Sequence, residues 1–264
     1  MRLGEPFRPA TDPARESERV ELLDLIAARS FSVVYQPIVD LRSGSVIGHE
    51  ALCRGPAGTA YAAAEHLFAT SHALGLAHEL DEACRAQVFG RACLLGQGTK
   101  LFVNILPGSV ADGRITAVNL GRLLPTLGIL PGQVVLELSE RVPIVDAALL
   151  SESLAPFREA GFLVAMDDIG AGFWSLRLVP EVAPHFMKVD ISLVRGLSAS
   201  VEQQGAVGAI VEMAARHGAE VICEGIEQAL DLEAVVALGV RYGQGFLLAA
   251  PAHEPVAAVE RAGS

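Results

Sequence analysis

Eight residues able to ligate a cation or handle a proton recur at one kind of position in this chain. Glu50, Asn104, Glu137, Asp167 with Asp168, Lys188, Glu224 and Gln244 each close a short apolar run. A charge at the end of a buried strand is costly unless it is paired or used, because an ion leaving water loses its solvation. Gathered on one rim, these groups would form a single polyanionic pocket. Glu50, Asn104, Glu137, Asp167, Asp168 and Glu224 offer oxygen only, with no His or Cys among them, a donor set suited to Mg²⁺ or Mn²⁺ rather than Zn²⁺. Six such side chains exceed what one Mg²⁺ takes from protein, since it keeps several waters, so the set predicts two ions. A metal pair roughly 3.5–4 Å apart activates a water and stabilises the leaving oxygen of an in-line phosphoryl displacement. Adjacent Asp167 and Asp168 are the natural bridging pair, and Lys188 would orient the nucleophile or neutralise developing charge.

Such a rim needs strands ending side by side. After Ser30, short apolar runs alternate with longer Ala/Leu/Glu/Arg-rich segments, the pattern of strands joined by crossover helices. Strands are predicted near 32–38, 45–52, 100–105, 133–138, 162–167, 185–189, 220–224 and 241–246. Helices are predicted at 62–71, 76–95, 116–127, 146–160, 203–217 and 228–238, with Gly161, Gly218 and Gly239 ending three of them. Runs such as Phe162 to Met166 are apolar throughout, as parallel strands covered on both faces require. Eight strands with helical crossovers predict a TIM-like (β/α)8 barrel, whose site lies at the C-terminal strand ends. Only Asp40 to Gly44 separates the first two strands, too little for a parallel crossover, so the first strand should run antiparallel to the second.

The bulk numbers fit one large core. A chain of 264 residues, 51 % apolar and 19 % charged, matches an α/β barrel of about 250 residues. Residues 1–30 read as a leader or linker, helical from Ser17 to Arg29 with Val20, Leu22, Leu23, Leu25 and Ile26 as its apolar face, and residues 31–264 as the barrel. The longest uncharged apolar stretch, Leu123 to Leu136, is broken by Pro125, Gly128, Pro131 and Gly132 and falls short of the roughly 18 residues of a membrane span. With no secretion signal at the N-terminus, the chain reads as a cytoplasmic protein or as a cytoplasmic domain of a longer one. Cys53, Cys84, Cys93 and Cys223 lack metal-site spacing and read as reduced core thiols. A net charge of −11 argues against sequence-independent binding to nucleic acid or anionic membrane. An anionic ligand would need cations as intermediaries.

The motifs themselves resemble a known family. His49-Glu50-Ala51-Leu52-Cys53-Arg54 is similar to the EAL signature of cyclic di-GMP phosphodiesterases, Tyr35-Gln36-Pro37-Ile38-Val39 to its opening YQPIV strand, and Phe102-Val103-Asn104-Ile105 to its VNLS segment. Leu136 to Glu140 resembles LEITE, Asp167 to Phe173 the DDFGxGY loop, and Lys188-Val189-Asp190 the KID motif. Glu224 to Glu227 resembles EGVE and Gln244-Gly245-Phe246 resembles QGY, so the likeness runs from about 31 to 251.

That resemblance implies roles. Glu50, Asn104, Glu137 and Asp167 would hold one Mg²⁺ or Mn²⁺, with Asp167, Asp168 and Glu224 at a second. Lys188 would assist the attacking water and Gln244 would hold it. Gln36 and Arg54 would grip cyclic di-GMP, Arg54 through a phosphate. Glu140 and Glu227 would stand behind the ligands, Glu140 anchoring the loop after Asp168. The implied reaction is hydrolysis of cyclic di-GMP to linear pGpG by a bacterial homodimer joined through that loop and nearby helices. The alternative is a receptor of the same fold that binds without cleaving, although such receptors lose ligand or lysine positions that this chain keeps. Taken singly, Asp168 could be a loop cap, Lys188 a snorkelling rim residue and Glu227 a first-turn helix charge; the joint pattern is what argues for chemistry. The chain departs from the family pattern at Ile169, Phe173 and Trp174, in the loop that the resemblance implies couples dimerisation to metal binding.

Overall fold

The computed structural model describes residues 13–92, 98–139, 146–171 and 176–258. Eight strands close a barrel in chain order: β1 Ser32–Asp40, β2 Val46–Arg54, β3 Lys100–Ile105, β4 Val134–Ser139, β5 Leu163–Ile169, β6 Phe186–Val189, β7 Glu220–Cys223 and β8 Tyr242–Gly243. β1 runs antiparallel to both β2 and β8, while every other neighbouring pair is parallel. The expected antiparallel first strand is therefore present. Its hairpin is held by Asp40, whose Oδ1 accepts the amides of Arg42 and Ser43 at 3.0 Å each. β8 is shorter than the 241–246 expected, because from Gln244 the chain curls into a turn in which Leu248 N and Ala249 N both donate to Gly245 O.

α1 Pro13–Ala27 precedes β1, and helices fill the crossovers: α2 Ala64–Ala73, α3 Ala77–Gly90, α4 Pro107–Ala111, α5 Ala117–Leu123, α6 Ala147–Glu159, α7 Val179–Val182, α8 Ile191–Val194, α9 Val201–His217 and α10 Ala229–Ala237. Side-chain oxygens of Thr116, Asp146, Asp190 and Ser200 accept amides at the starts of α5, α6, α8 and α9, each cap contributing about 1 kcal/mol. The expected helix over 116–127 tightens into a 3₁₀ turn at Leu124–Leu127, where Pro125 withholds an amide. The one-turn helices α4, α7 and α8 are too short to show a period and were not foreseen. α1 begins before the expected Ser17 because Pro13 is compatible with a first helical turn. Its buried face is narrower than expected: Leu22, Leu25 and Ile26 meet the core while Val20 and Leu23 stay exposed.

Two apolar layers result. The larger lies between strands and helices. The smaller plugs the barrel, with Ile38, Phe102, Val135, Ala165, Phe186, Ile222 and Tyr242 in mutual contact. Two residues beyond each of the last six stand Asn104, Glu137, Asp167, Lys188, Glu224 and Gln244, so strand alternation puts them on the same inward side, one layer nearer the C-terminal rim. Glu50 of β2 and Gln36 of the reversed β1 face each other in register and complete that ring. The C-terminal segment crosses the outer side of the β1–β2 hairpin, bridging Tyr35 to Ala252 and Ser45 to Ala258. His49, whose side chain alternates outward from Glu50, meets Val256 O there at 2.9 Å. No helix among the described residues is long and apolar enough to cross a membrane.

Candidate metal centre

Lys188 stands at the middle of the ring, fully buried. Its Nζ lies 2.7 Å from Glu137 Oε1, 2.7 Å from Glu224 Oε1, 2.8 Å from Asp167 Oδ1 and 3.4 Å from Glu50 Oε2. Three ammonium protons cannot serve four carboxylates. Glu137 Oε1 and Asp167 Oδ1 meet no other donor and depend on this one shared ammonium. Charge and short contacts to one ammonium hold the cluster together. Amides tie its other side: Gln244 Nε2 donates to Glu50 Oε2 at 2.7 Å and to Gln36 Oε1 at 2.9 Å. Asn104 Nδ2 lies 3.2 Å from Glu50 Oε1 and 3.3 Å from Glu137 Oε2.

Asp167 and Asp168 would diverge on a regular strand, where successive side chains point to opposite faces. The ladder between β5 and β6 pairs Met166 with Met187 and resumes at Ile169 opposite Val189. β5 thus spends one residue more than its partner, a bulge that re-aims a side chain. Asp168 adopts a left-handed φ of 58° within it, which Asp tolerates better than most residues. Both carboxylates consequently belong to one cluster.

The electrostatics are those of an anion-rich pocket short of positive charge. Burial pushes the carboxyls of Glu137 and Glu224 well above the ordinary range, and the charges of Glu50 and Asp167 add to it against the pull of Lys188. Asp167 is raised to about 6 by burial and by the charges of Asp168 and Glu50. Burial would raise Glu50 as well, but Lys188 and the amides of Gln244 and Asn104 outweigh it and hold that carboxyl below its usual value. Burial would lower Lys188, yet Asp167, Glu137, Glu224 and Glu50 together raise it well above an ordinary lysine. Five carboxylates against one ammonium leave room for further cations.

The residues fit divalent ions. Ligand oxygens of Glu50, Glu137 and Asp167 lie within 4.8 Å of one another, as do those of Asp167, Asp168 and Glu224, the two groups sharing Asp167. Turning the Asn104 amide over would present its oxygen to the first group. The donor set is all oxygen, and its buried carboxylates share a single ammonium.

Every ring residue expected from the sequence is thus placed in or beside this cluster. Gln36 also donates to Ala249 O at 3.3 Å. Arg54 lies at the end of β2, half-buried, with Nη1 donating to Cys53 O at 3.0 Å. Glu227 is paired not with the ring but with Arg195, at 3.2 Å through both oxygens. Glu140, Phe173 and Trp174 lie outside the described residues. Two glycines that follow the acidic residues, Gly170 and Gly225, shape the same rim through left-handed backbones, φ 108° and 64°.

Comparison with known proteins agrees with this geometry. The sequence profile described as "EAL domain" matches residues 19–251. A protein of Escherichia coli K12 named probable cyclic di-GMP phosphodiesterase PdeB is 29 % identical over 238 residues, covering 88 % of this chain and 45 % of the relative. Cyclic di-GMP phosphodiesterase RocR of Pseudomonas aeruginosa is 28 % identical, covering 85 % of this chain and 58 % of its own length. The chain therefore spans about half the length of these relatives. Among solved structures, Klebsiella pneumoniae BlrP1, described as a calcium and cyclic di-GMP complex, superimposes with a TM-score of 0.77 at 29 % identity, over 87 % of this chain and 58 % of that one.

Proposed function

Since the chain belongs to the EAL domain family, we propose that it is a metal-dependent phosphodiesterase that hydrolyses cyclic di-GMP to linear pGpG. One observation carries the reading: two oxygen-only ligand groups share Asp167 around a buried lysine at the C-terminal rim of the barrel. The names of PdeB and RocR, and the cyclic di-GMP bound by BlrP1, supply the substrate class.

In this reading Glu50, Asn104, Glu137 and Asp167 hold one Mg²⁺ or Mn²⁺, and Asp167, Asp168 and Glu224 a second. Two divalent ions would match the four negative charges that remain when five carboxylates face Lys188 alone. When bound, such ions polarise the phosphoryl oxygens and lower the pKa of water. The chain's own groups do the rest. Lys188 draws the carboxylates together and keeps positive charge beside the reacting phosphoryl group. Gln244 Oε1 is buried without a partner and accepts a hydrogen bond from the attacking water, while its Nε2 fixes Glu50. Gln36 and Arg54 orient the substrate, Arg54 against a phosphate. The water oxygen bonds to phosphorus, the bond to the ribose 3′ oxygen breaks, and that oxygen takes up a proton, leaving a 5′-phosphate. Two copies paired through the segment after Asp168 form part of the same proposal.

Comparing Glu50→Ala with the wild type for both binding and turnover tests it. The reading expects turnover to disappear with loss of a metal ligand; unchanged activity refutes the assigned centre. A receptor would bind cyclic di-GMP in the wild type without product.

A further inference from the structure

A spacer that contributes no ligand lies between the loops bearing Asp168 and Glu224. α8 begins two residues after the Lys188-bearing strand ends, with Asp190 Oδ1 accepting Ser192 N at 2.8 Å. It lies between the loops that follow β5 and β7, the loops that leave Asp168 and Glu224. A Cβ on Gly170 would fall 2.3 Å from Leu193 Cδ1, and a Cβ on Gly225 would fall 2.1 Å from Ile191 Cγ1. No real Cβ is found so close, so each glycine provides a slot that a side chain of α8 fills. Backbone hydrogen bonds join the same three loops: Asp190 N donates to Ile169 O at 3.1 Å and Glu224 N to Val189 O at 3.0 Å. Ile191 is therefore keyed beside Glu224 and Leu193 two residues from Asp168.

We propose that Ile191 and Leu193 are positioning residues that set the separation of Asp168 from Glu224, and hence the affinity of the ion held by Asp167, Asp168 and Glu224. This rests on the metal pair proposed above. Glu50, Asn104 and Glu137 come from β2, β3 and β4 and not from the loops that hold α8, so the two ions should respond differently. Hydrogen-bonded partners behind metal ligands are worth about 10–100-fold in affinity, and packing that fixes the ligand-bearing loops is expected at the lower end of that range.

The test is Mn²⁺ titration by calorimetry, with electron paramagnetic resonance counting free ion, on substrate-free protein. Ile191→Ala with Leu193→Ala is expected to leave one site unchanged and weaken the other about 10-fold. Ile191→Val with Leu193→Met, which retain most of the bulk, should keep both affinities. Leu154→Ala, in the fully buried face of α6 away from the rim, serves as a control for general softening and should lower stability without touching either site. Two unchanged affinities in the alanine pair, or equal weakening of both as part of a general loss, overturn the spacer. A wild-type chain that takes up a single Mn²⁺ overturns the metal pair itself, and the spacer with it.

Discussion

Asp167 and Asp168 are consecutive on β5, yet ligand oxygens of both lie within 4.8 Å of Glu224 and of each other. A one-residue bulge against β6 and a left-handed Asp168 achieve this. The pocket's composition thus depends on a backbone irregularity as much as on residue type.

Substitutions at Asp168 should separate those two contributions. Asp168→Asn keeps a residue that accepts the left-handed region and should fold normally, while turnover falls roughly 10²–10³-fold with the lost charge. Asp168→Val forces a β-branched residue into that backbone and should cost about 1–3 kcal/mol of stability in addition. Chemical denaturation beside activity assays distinguishes them; equal stability of the two variants would remove the bulge from the account.

Lys188 is the counterion of four carboxylates when no divalent ion is present. Lys188→Met should destabilise the metal-free protein by about 3–5 kcal/mol, the cost of leaving buried charge uncompensated. Saturating Mn²⁺ should recover about 3 kcal/mol at a hundred times its dissociation constant. Thermal shift with chelator and with Mn²⁺ reads both effects.

The raised carboxyls give a pH dependence of defined sign. Asp167, at about 6 in the folded chain against 3.8 ordinarily, binds more protons folded than unfolded across that window, so the metal-free protein should lose stability as pH rises from about 4 through 6. Glu137 and Glu224 extend the loss to higher pH. Lys188, raised instead, keeps its contribution below its ordinary pKa of 10.5 and therefore adds no slope in this range. Ions compete with the same protons, so the increment from Mn²⁺ should grow over the window in which the metal-free protein weakens. Denaturant titrations at pH 5 and pH 8 with and without Mn²⁺ test it.

A second buried charge cluster should matter for folding alone. Asp81 on α3 accepts from Arg85 and, at 3.0 Å, from Ser109 Oγ, which also meets His78 Nδ1 at 2.9 Å. Burial lowers Arg85 to about 10, a sign of how costly its charge is there. Asp81→Ala should destabilise by about 3–5 kcal/mol while Mn²⁺ affinity stays at the wild-type value.

Much of this was legible in the sequence because parallel strands buried on both faces read as uninterrupted apolar runs, and each run named its own rim residue. Asn104, Glu137, Lys188 and Glu224 needed only a strand assignment and alternation to be placed. The hairpin sense followed from five residues of connection. The bulge did not, since Asp is permissive enough to turn left-handed without the glycine that would have marked it. Nor did α8: a single turn has no periodicity, and Gly170 and Gly225 show their purpose only when Leu193 and Ile191 are seen against them. The pairing of Glu227 with Arg195, 32 residues apart, required the folded loops.

The most direct measurement is chromatography of cyclic di-GMP incubated with the chain and Mn²⁺ or Mg²⁺, alongside chelator-treated protein and Glu50→Ala. The account predicts pGpG from the metal-loaded wild type and from neither control. Cyclic di-GMP that is bound but recovered intact with both metals would contradict it.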